Sequence, residues 1–251
     1  MSLLDKDLET LNTASNFQFS ATDMQTLIKA GVSEYTLVVI ACDTSSSVHA
    51  FSDELEKMLK QILDACQKSP RKEHLMLRLV QFNSIVDELH GFKLLNTIST
   101  DDYNGILSVG GMTALAAAGV DAVESVTVYG KQLMDQDIIA NAIVFIITDG
   151  QDNDSRGLRA TNIKTASESA MQNEALESLT VVLVGVTGDD NSLDRYLQGF
   201  KDDAGITQYV GIGNASPAKL AKLAQFVSQS ISSTSQALKS GGPSQPISFS
   251  V

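Results

Sequence analysis

Three apolar runs in this chain are unbroken and stop abruptly: "YTLVVIACD" at residues 35–43, "ANAIVFIITDG" at 140–150 and "LTVVLVGVTG" at 179–188. A strand with one wet face alternates apolar and polar residues, whereas a run that is apolar at nearly every position suits a strand covered on both faces. Helix-period segments separate the runs. Phe51, Leu55, Met58, Leu59, Ile62, Leu63 and Cys66 recur at helical spacing before Pro70, which predicts one amphipathic helix. A second is predicted from about Ala114 to Gln132, and a short one around "SLDRYLQGF" precedes a strand at "TQYVGIG". In "SPAKLAKLAQFVSQSISSTSQAL", Ser216 is placed to cap and Pro217 suits a first helical position. "HLMLRLVQF" and "SIVDELHGF" are separated by Asn83-Ser84 and read as an antiparallel hairpin.

Strands alternating with helices give an α/β fold: a doubly wound, mostly parallel central sheet with one antiparallel edge strand and helices on both faces. A length of 251 residues fits one such domain. The expected division is an N-terminal extension with a short helix at 1–34, the α/β domain at 35–236, and a flexible tail at 237–251. The tail, "SGGPSQPISFSV", has linker composition. Its last residues alternate as "FQFS" near the N-terminus does, a pattern that also suits a sheet edge.

A net charge of -12 argues against nucleic acid, which needs a basic footprint, and against anionic membrane surfaces. It favours a cation or a partly basic protein surface as partner. The start "MSLLDKDLETL" has acids where a signal peptide carries basic residues, and no apolar run approaches the roughly 18 residues of a membrane span. Cys42 falls in an apolar strand and Cys66 on an apolar helix stripe, which predicts two buried thiols. The chain reads as cytoplasmic.

Ligands of open α/β sheets bind beyond the carboxyl ends of the strands. Two apolar runs end there on an acid, Asp43 and Asp149. Between them lies "SVGGMTAL", in which Gly110 and Gly111 permit a tight loop and Thr113 starts the next helix. Together with "DTSSS" these segments offer carboxylate and hydroxyl oxygens and no histidine or cysteine. Hard oxygen donors with few charges suit Mg²⁺, with Mn²⁺ or Ca²⁺ as variants.

With these residues in place, the chain resembles the von Willebrand factor A domains and their metal-ion-dependent adhesion site. The family signature of Asp-x-Ser-x-Ser after the first strand, a threonine in the second loop and an aspartate after the fourth strand is matched by Asp43, Ser45, Ser47, Thr113 and Asp149. The resemblance covers about residues 35–236. It implies a metal-dependent protein–protein interaction module, not an enzyme, that holds a partner's Asp or Glu through a bound divalent cation. Two departures stand out. Ser46 replaces the glycine of many relatives, and Ala50 and Phe51 lie where some integrin domains carry an acidic pair for a second calcium. The C-terminal helix is similar to that of bacterial tellurite-resistance and phage-type relatives.

Other residues have competing readings. Asp152 and Asp154 in "GQDNDS" offer a second cation site, but Arg156 breaks an EF-hand pattern, and a solvated acidic loop is the simpler expectation. His49 reads as polar surface. A haloacid-dehalogenase-type phosphatase also places an aspartate after a buried strand and an acidic loop after a later one. It needs a general acid two residues beyond the first aspartate, where this chain has Ser45. A structural assembly protein with a vestigial metal site is the remaining alternative.

Overall fold

In the computed structural model, which describes residues 7–213, 215–240 and 246–249, the apolar runs form the middle of one sheet. The strands are β1 (Leu8–Asn12), β2 (Gln18–Thr22), β3 (Glu34–Asp43), β4 (Leu75–Phe82), β5 (Val86–Leu94), β6 (Ile139–Thr148), β7 (Leu179–Val186) and β8 (Gln208–Ile212). The helices are α1 (Met24–Ala30), α2 (Ser52–Gln67), α3 (Leu115–Met134), α4 (Ala160–Gln172), α5 (Asn191–Asp203) and α6 (Pro217–Ser240). The sheet order is β1-β2-β5-β4-β3-β6-β7-β8. From β4 through β3, β6 and β7 to β8 every pairing is parallel, while β4 and β5 form the expected antiparallel hairpin.

The continuous apolar pattern has its physical reason in two cores. On β3, Leu37, Val39 and Ala41 face the layer that contains residues of α3, α4 and α5, while Val38, Ile40 and Cys42 face the layer of α2 and α6. On β6, Ala142, Val144 and Ile146 take the first side and Ile143, Phe145 and Ile147 the second. Successive side chains point to opposite faces, so a strand with both faces covered has no position for a solvated residue. Cys42 and Cys66 are buried free thiols, and burial pushes the Cys66 thiol up to about 12.

Residues 8–22 extend the sheet. β1 and β2 pair antiparallel, and β2 meets β5 through a single parallel bridge, Ala21 to Phe92. Gly91 makes this contact possible, because a Cβ there would stand 2.0 Å from the Ser20 carbonyl oxygen. A buried polar cluster fastens the junction. Arg78 donates to Asp121 (Nη1 to Oδ2, 2.7 Å), to Ser125 Oγ (3.1 Å) and to Glu88 (Nε to Oε2, 2.7 Å). Glu88 Oε1 in turn accepts the Ser20 amide at 2.9 Å, and the guanidinium lies 5.5 Å from the Phe19 ring centroid.

α6 runs to Ser240, four residues past the boundary expected from composition. Of the tail, residues 246–249 lie against the body. Gln208 Nε2 donates to the Ile247 carbonyl at 3.0 Å, and the Phe249 ring packs edge-on to Phe226 with centroids 5.2 Å apart. Among the described residues, no helix is long and apolar enough to cross a membrane.

Removing one partner of a buried ion pair leaves the other charge without compensation. Arg78 and Asp121 are both 1% exposed, so Arg78→Ala should cost about 3–5 kcal/mol of unfolding free energy, measured by urea denaturation. A loss below about 1 kcal/mol would show that the cluster does not hold the hairpin to the sheet.

Candidate metal centre

Parallel pairing sets the site. Cys42 lies opposite Ile147 on neighbouring strands, so β3 and β6 end side by side and deliver Asp43 and Asp149 to the same rim of the sheet. The chain after Asp43 turns back on its own carboxylate: the Ser45 amide donates to Asp43 Oδ1 at 2.8 Å. A short 3-10 turn, Ser46–Ala50, then leads to α2. Ser45 Oγ and Ser47 Oγ lie 3.1 Å apart, and Ser47 Oγ donates to Asp149 Oδ1 at 2.8 Å. Thr113 joins beside Gly150. A Cβ on Gly150 would stand 3.1 Å from Thr113 Oγ1 and 3.9 Å from Asp43 Oδ2, which places both oxygens around one glycine. All five residues expected from the sequence therefore converge.

Several positioning residues escaped the sequence reading. Thr148 Oγ1 donates to Asp43 Oδ2 at 2.6 Å and accepts the Gly150 amide at 3.1 Å. It thereby orients the first carboxylate and shapes the turn after the second. Asn153 brackets Thr113: Asn153 Oδ1 accepts the Thr113 amide at 2.7 Å, and the Asn153 amide donates to the Thr113 carbonyl at 2.9 Å. The loop of Gly110 (φ 155°) and Gly111 (φ 81°) uses backbone that L side chains rarely adopt. The Gly110 amide donates to the Thr44 carbonyl at 2.8 Å, and the Ser46 amide to the Gly111 carbonyl at 3.1 Å. Ser46, where many relatives of the resembling family have glycine, adds its own hydroxyl to that Gly111 oxygen at 3.0 Å. The side chain thus ties two site loops together.

The expectation of a solvated loop at "GQDNDS" needs correction for Asp152. α3 begins after Ala114, which has no capping side chain, and Asp152 Oδ1 accepts the Ala116 amide at 3.2 Å. Ser155 Oγ accepts the Ala117 amide at 3.1 Å and donates to Asp152 Oδ1. A carboxylate and a hydroxyl thus cap the helix from another loop, an arrangement that the orphan amides and positive end of a helix favour. Ala50 and Phe51 end the 3-10 turn, and Phe51 packs against the core below. His49 is exposed beside them.

No protein-family model matches the chain, and no curated protein matches it. Solved structures do. The von Willebrand factor type A structure from Catenulispora acidiphila superposes with a TM-score of 0.57 at 14% identity, covering 86% of this chain and 44% of that one. The PilB minor pilin from Streptococcus sanguinis superposes with a TM-score of 0.56 at 16% identity over 83% of this chain and 63% of its own. The pilus adhesin SpaC from Lactobacillus rhamnosus GG gives 0.51 at 13%, over 79% and 31%. The chain has the von Willebrand factor A fold. It spans less than two thirds of the length of each of these structures. In this fold the five oxygen residues occupy the carboxyl-end rim of the sheet, and the β1–β2 hairpin lies at its far edge.

The electrostatics of the rim are unbalanced. The hydrogen-bond donors to Asp43 and Asp149 described above are neutral hydroxyls and amides. Burial pushes the Asp149 carboxyl up to about 6, with the Ser47 hydrogen bond opposing and the Asp43 charge adding to the rise. Burial raises Asp43 as well, against hydrogen bonds from Thr148 and Ser45. A raised carboxyl favours the folded state when protonated, and that contribution is lost as pH rises through the folded value. At neutral pH without metal, the ionised pair therefore opposes folding. Asp149→Asn keeps a hydrogen-bond acceptor and removes the charge. The metal-free variant should be more stable than its parent at pH 7 by on the order of 1 kcal/mol, and the gain should vanish as pH falls toward 4. Paired urea titrations at the two pH values measure this. A variant less stable than its parent at pH 7 would mean that the carboxylates are already compensated.

Proposed function

We propose that this chain is a metal-dependent binding module, in which a divalent cation held by Asp43, Ser45, Ser47, Thr113 and Asp149 takes a carboxylate from a protein partner. The observation that carries the reading is a buried carboxylate, Asp43, beside a half-buried one, Asp149, whose donors are neutral hydroxyls and amides. That donor set fits a hard cation. Two carboxylates and three hydroxyls neutralise a doubly charged ion on paper but satisfy it poorly in practice, since hydroxyls are weak ligands. Mg²⁺ characteristically keeps part of its shell for water or for ligand oxygen. The ion would supply one point of positive potential, open to an external carboxylate, on a surface that otherwise repels one. The chain's own residues would position and tune it: Thr148 and the Ser45 amide hold Asp43, and Asn153 holds Thr113.

This reading requires no bond-making step. It is in keeping with a fold whose solved examples include proteins described as a minor pilin and a pilus adhesin. The phosphatase alternative finds no support, since Ser45 supplies a hydroxyl in contact with Ser47 where that mechanism needs a proton-donating carboxyl. An assembly role with a vestigial site is separated by metal titration alone.

Calorimetry on metal-stripped protein should show one Mg²⁺ or Mn²⁺ bound, and Asp43→Ala should abolish it while the circular dichroism spectrum stays that of the parent. Equal binding by the two proteins would remove the site from consideration. Because both cores are built away from the rim, the chain should remain folded in EDTA. At a hundredfold excess over its dissociation constant, the ion should add about 2.7 kcal/mol of stability. A chain that unfolds on chelation would place the metal in the folding problem instead.

Thr113→Ala removes a ligand hydroxyl without touching the cores. It should weaken a carboxylate-bearing partner to about the same degree as changing the partner's key acid to its amide, read by calorimetry in Mg²⁺. Partner binding unchanged by this substitution and by EDTA would mean that the partner uses another face.

A further inference from the structure

Beside the Thr113 loop lies a cleft of about 280 Å³, walled by the apolar Phe17, Ile85, Val86 and Leu158, with Asp154 and Arg156 as its charged lining residues. Ala114, the residue next to Thr113, lines it together with Ser84 and Arg156, which follow the carboxyl ends of β4 and β6, so it lies on the same rim as the candidate metal centre. Its volume falls just below the roughly 300–1,000 Å³ of pockets that enclose whole small molecules and suits one large side chain.

The surroundings point to a macromolecular ligand. Met112 and Ile85 are 50% and 54% exposed, and the two segments are joined where the Met112 amide donates to Ser84 Oγ at 3.0 Å. Exposed apolar residues gathered around a concave site mark interaction surfaces. Of the two charged lining residues, Asp154 is half-buried and Arg156, at the surface, is the cation. In a chain of net charge -12, it is an exposed cation in left-handed backbone (φ 50°), followed by Gly157 at φ 95°. Its Nη2 donates to the Ser84 carbonyl at 3.4 Å. Backbone held in so sparse a region tends to be kept where a side chain must be aimed.

We propose that this cleft takes one large apolar side chain of the same partner segment whose acidic residue reaches the metal, with Arg156 facing a second carboxylate on that segment. The inference rests on the metal-binding reading and names the chemistry of its partner: a short extended stretch with one Asp or Glu and, two to four residues away, a Leu, Ile, Met or Phe. The spacing follows from the rim itself. Thr113 and Ala114 are consecutive, and same-face side chains of an extended peptide recur about every 7 Å. The cleft excludes water from the apolar contact, and the guanidinium offsets the repulsion that the acidic chain exerts on an acidic segment.

The test is an array of synthetic peptides with one fixed Asp and systematically varied flanking positions, probed with the full chain in Mg²⁺ and in EDTA. Parent protein should select peptides in Mg²⁺ only, with a large apolar residue preferred at one fixed offset and an acid beyond it. Ile85→Asp, at an exposed position, should weaken the best peptide about tenfold, as loss of one apolar anchor does, while calorimetric Mg²⁺ affinity stays within about twofold of the parent. Arg156→Glu should lose the second acid preference and keep the first. Mg²⁺-dependent selection of Asp peptides with no apolar preference, or with one that Ile85→Asp leaves intact, overturns this inference and leaves the metal reading standing. Absence of Mg²⁺-dependent selection overturns both, and equal selection in EDTA shows an apolar site that works independently of the metal, which also overturns the proposal.

Discussion

Two parallel strands that end together must bring their terminal residues together, and here that rule sets two carboxylates beside each other. β3 and β6 are neighbours in register, each buried on both faces, and neither can slip without moving a full set of side chains to the wrong core. Asp43 and the Thr148–Asp149 step are therefore adjacent by construction. The protein supplies neutral donors to these acids through Thr148, Ser45 and Ser47. Burial and mutual repulsion raise Asp149 well above the ordinary carboxylate range. The other site loops serve that pair: the glycine loop approaches through Thr44 and Ser46, and the loop after Asp149 returns to hold Thr113 and to cap α3.

The candidate metal centre is thereby separated from what stabilises the fold. Its oxygens sit at the rim, while the two apolar layers lie along the strands, so charge strain at the carboxyl ends is tolerated. The buried Arg78 cluster follows the opposite logic at the other edge. There the carboxylates of Asp121 and Glu88 face a guanidinium, and the outcome is a fixed junction between hairpin and sheet. One acidic pair is compensated by a cation within the chain, and the other meets only neutral donors.

Much of this was legible in the sequence because it follows local rules. The doubly apolar runs of β3, β6 and β7 announced a parallel sheet, and the acids at their ends announced the rim. Asp43, Asp149 and Thr113 stood at strand ends and a helix start that the pattern marked, and Ser45 and Ser47 followed from the resemblance to the von Willebrand factor A domains. Asn153, Asp152 and Ser155 were not legible as positioning residues, since each acts on a backbone amide about forty residues earlier, and spacing says nothing about such a partner. The β1–β2 hairpin was half legible: "FQFS" showed its alternation, but its place beside β5 depends on the missing Cβ of Gly91 and on Glu88 reaching Ser20. The tail read as linker by composition, yet Ile247 and Phe249 contact β8 and α6, because two apolar residues in a polar stretch suffice to dock it.

In the proposed binding mode the five rim oxygens hold a cation with a position left open to a carboxylate. Water-proton relaxation of the Mn²⁺-loaded protein tests it directly, because a fast-exchanging water on the ion enhances relaxation and an incoming ligand removes that water. The enhancement should be strong, fall as an Asp-containing peptide is titrated and stay unaffected by the corresponding Asn peptide. An ion that shows no exchangeable water, or a signal that both peptides change equally, would contradict it.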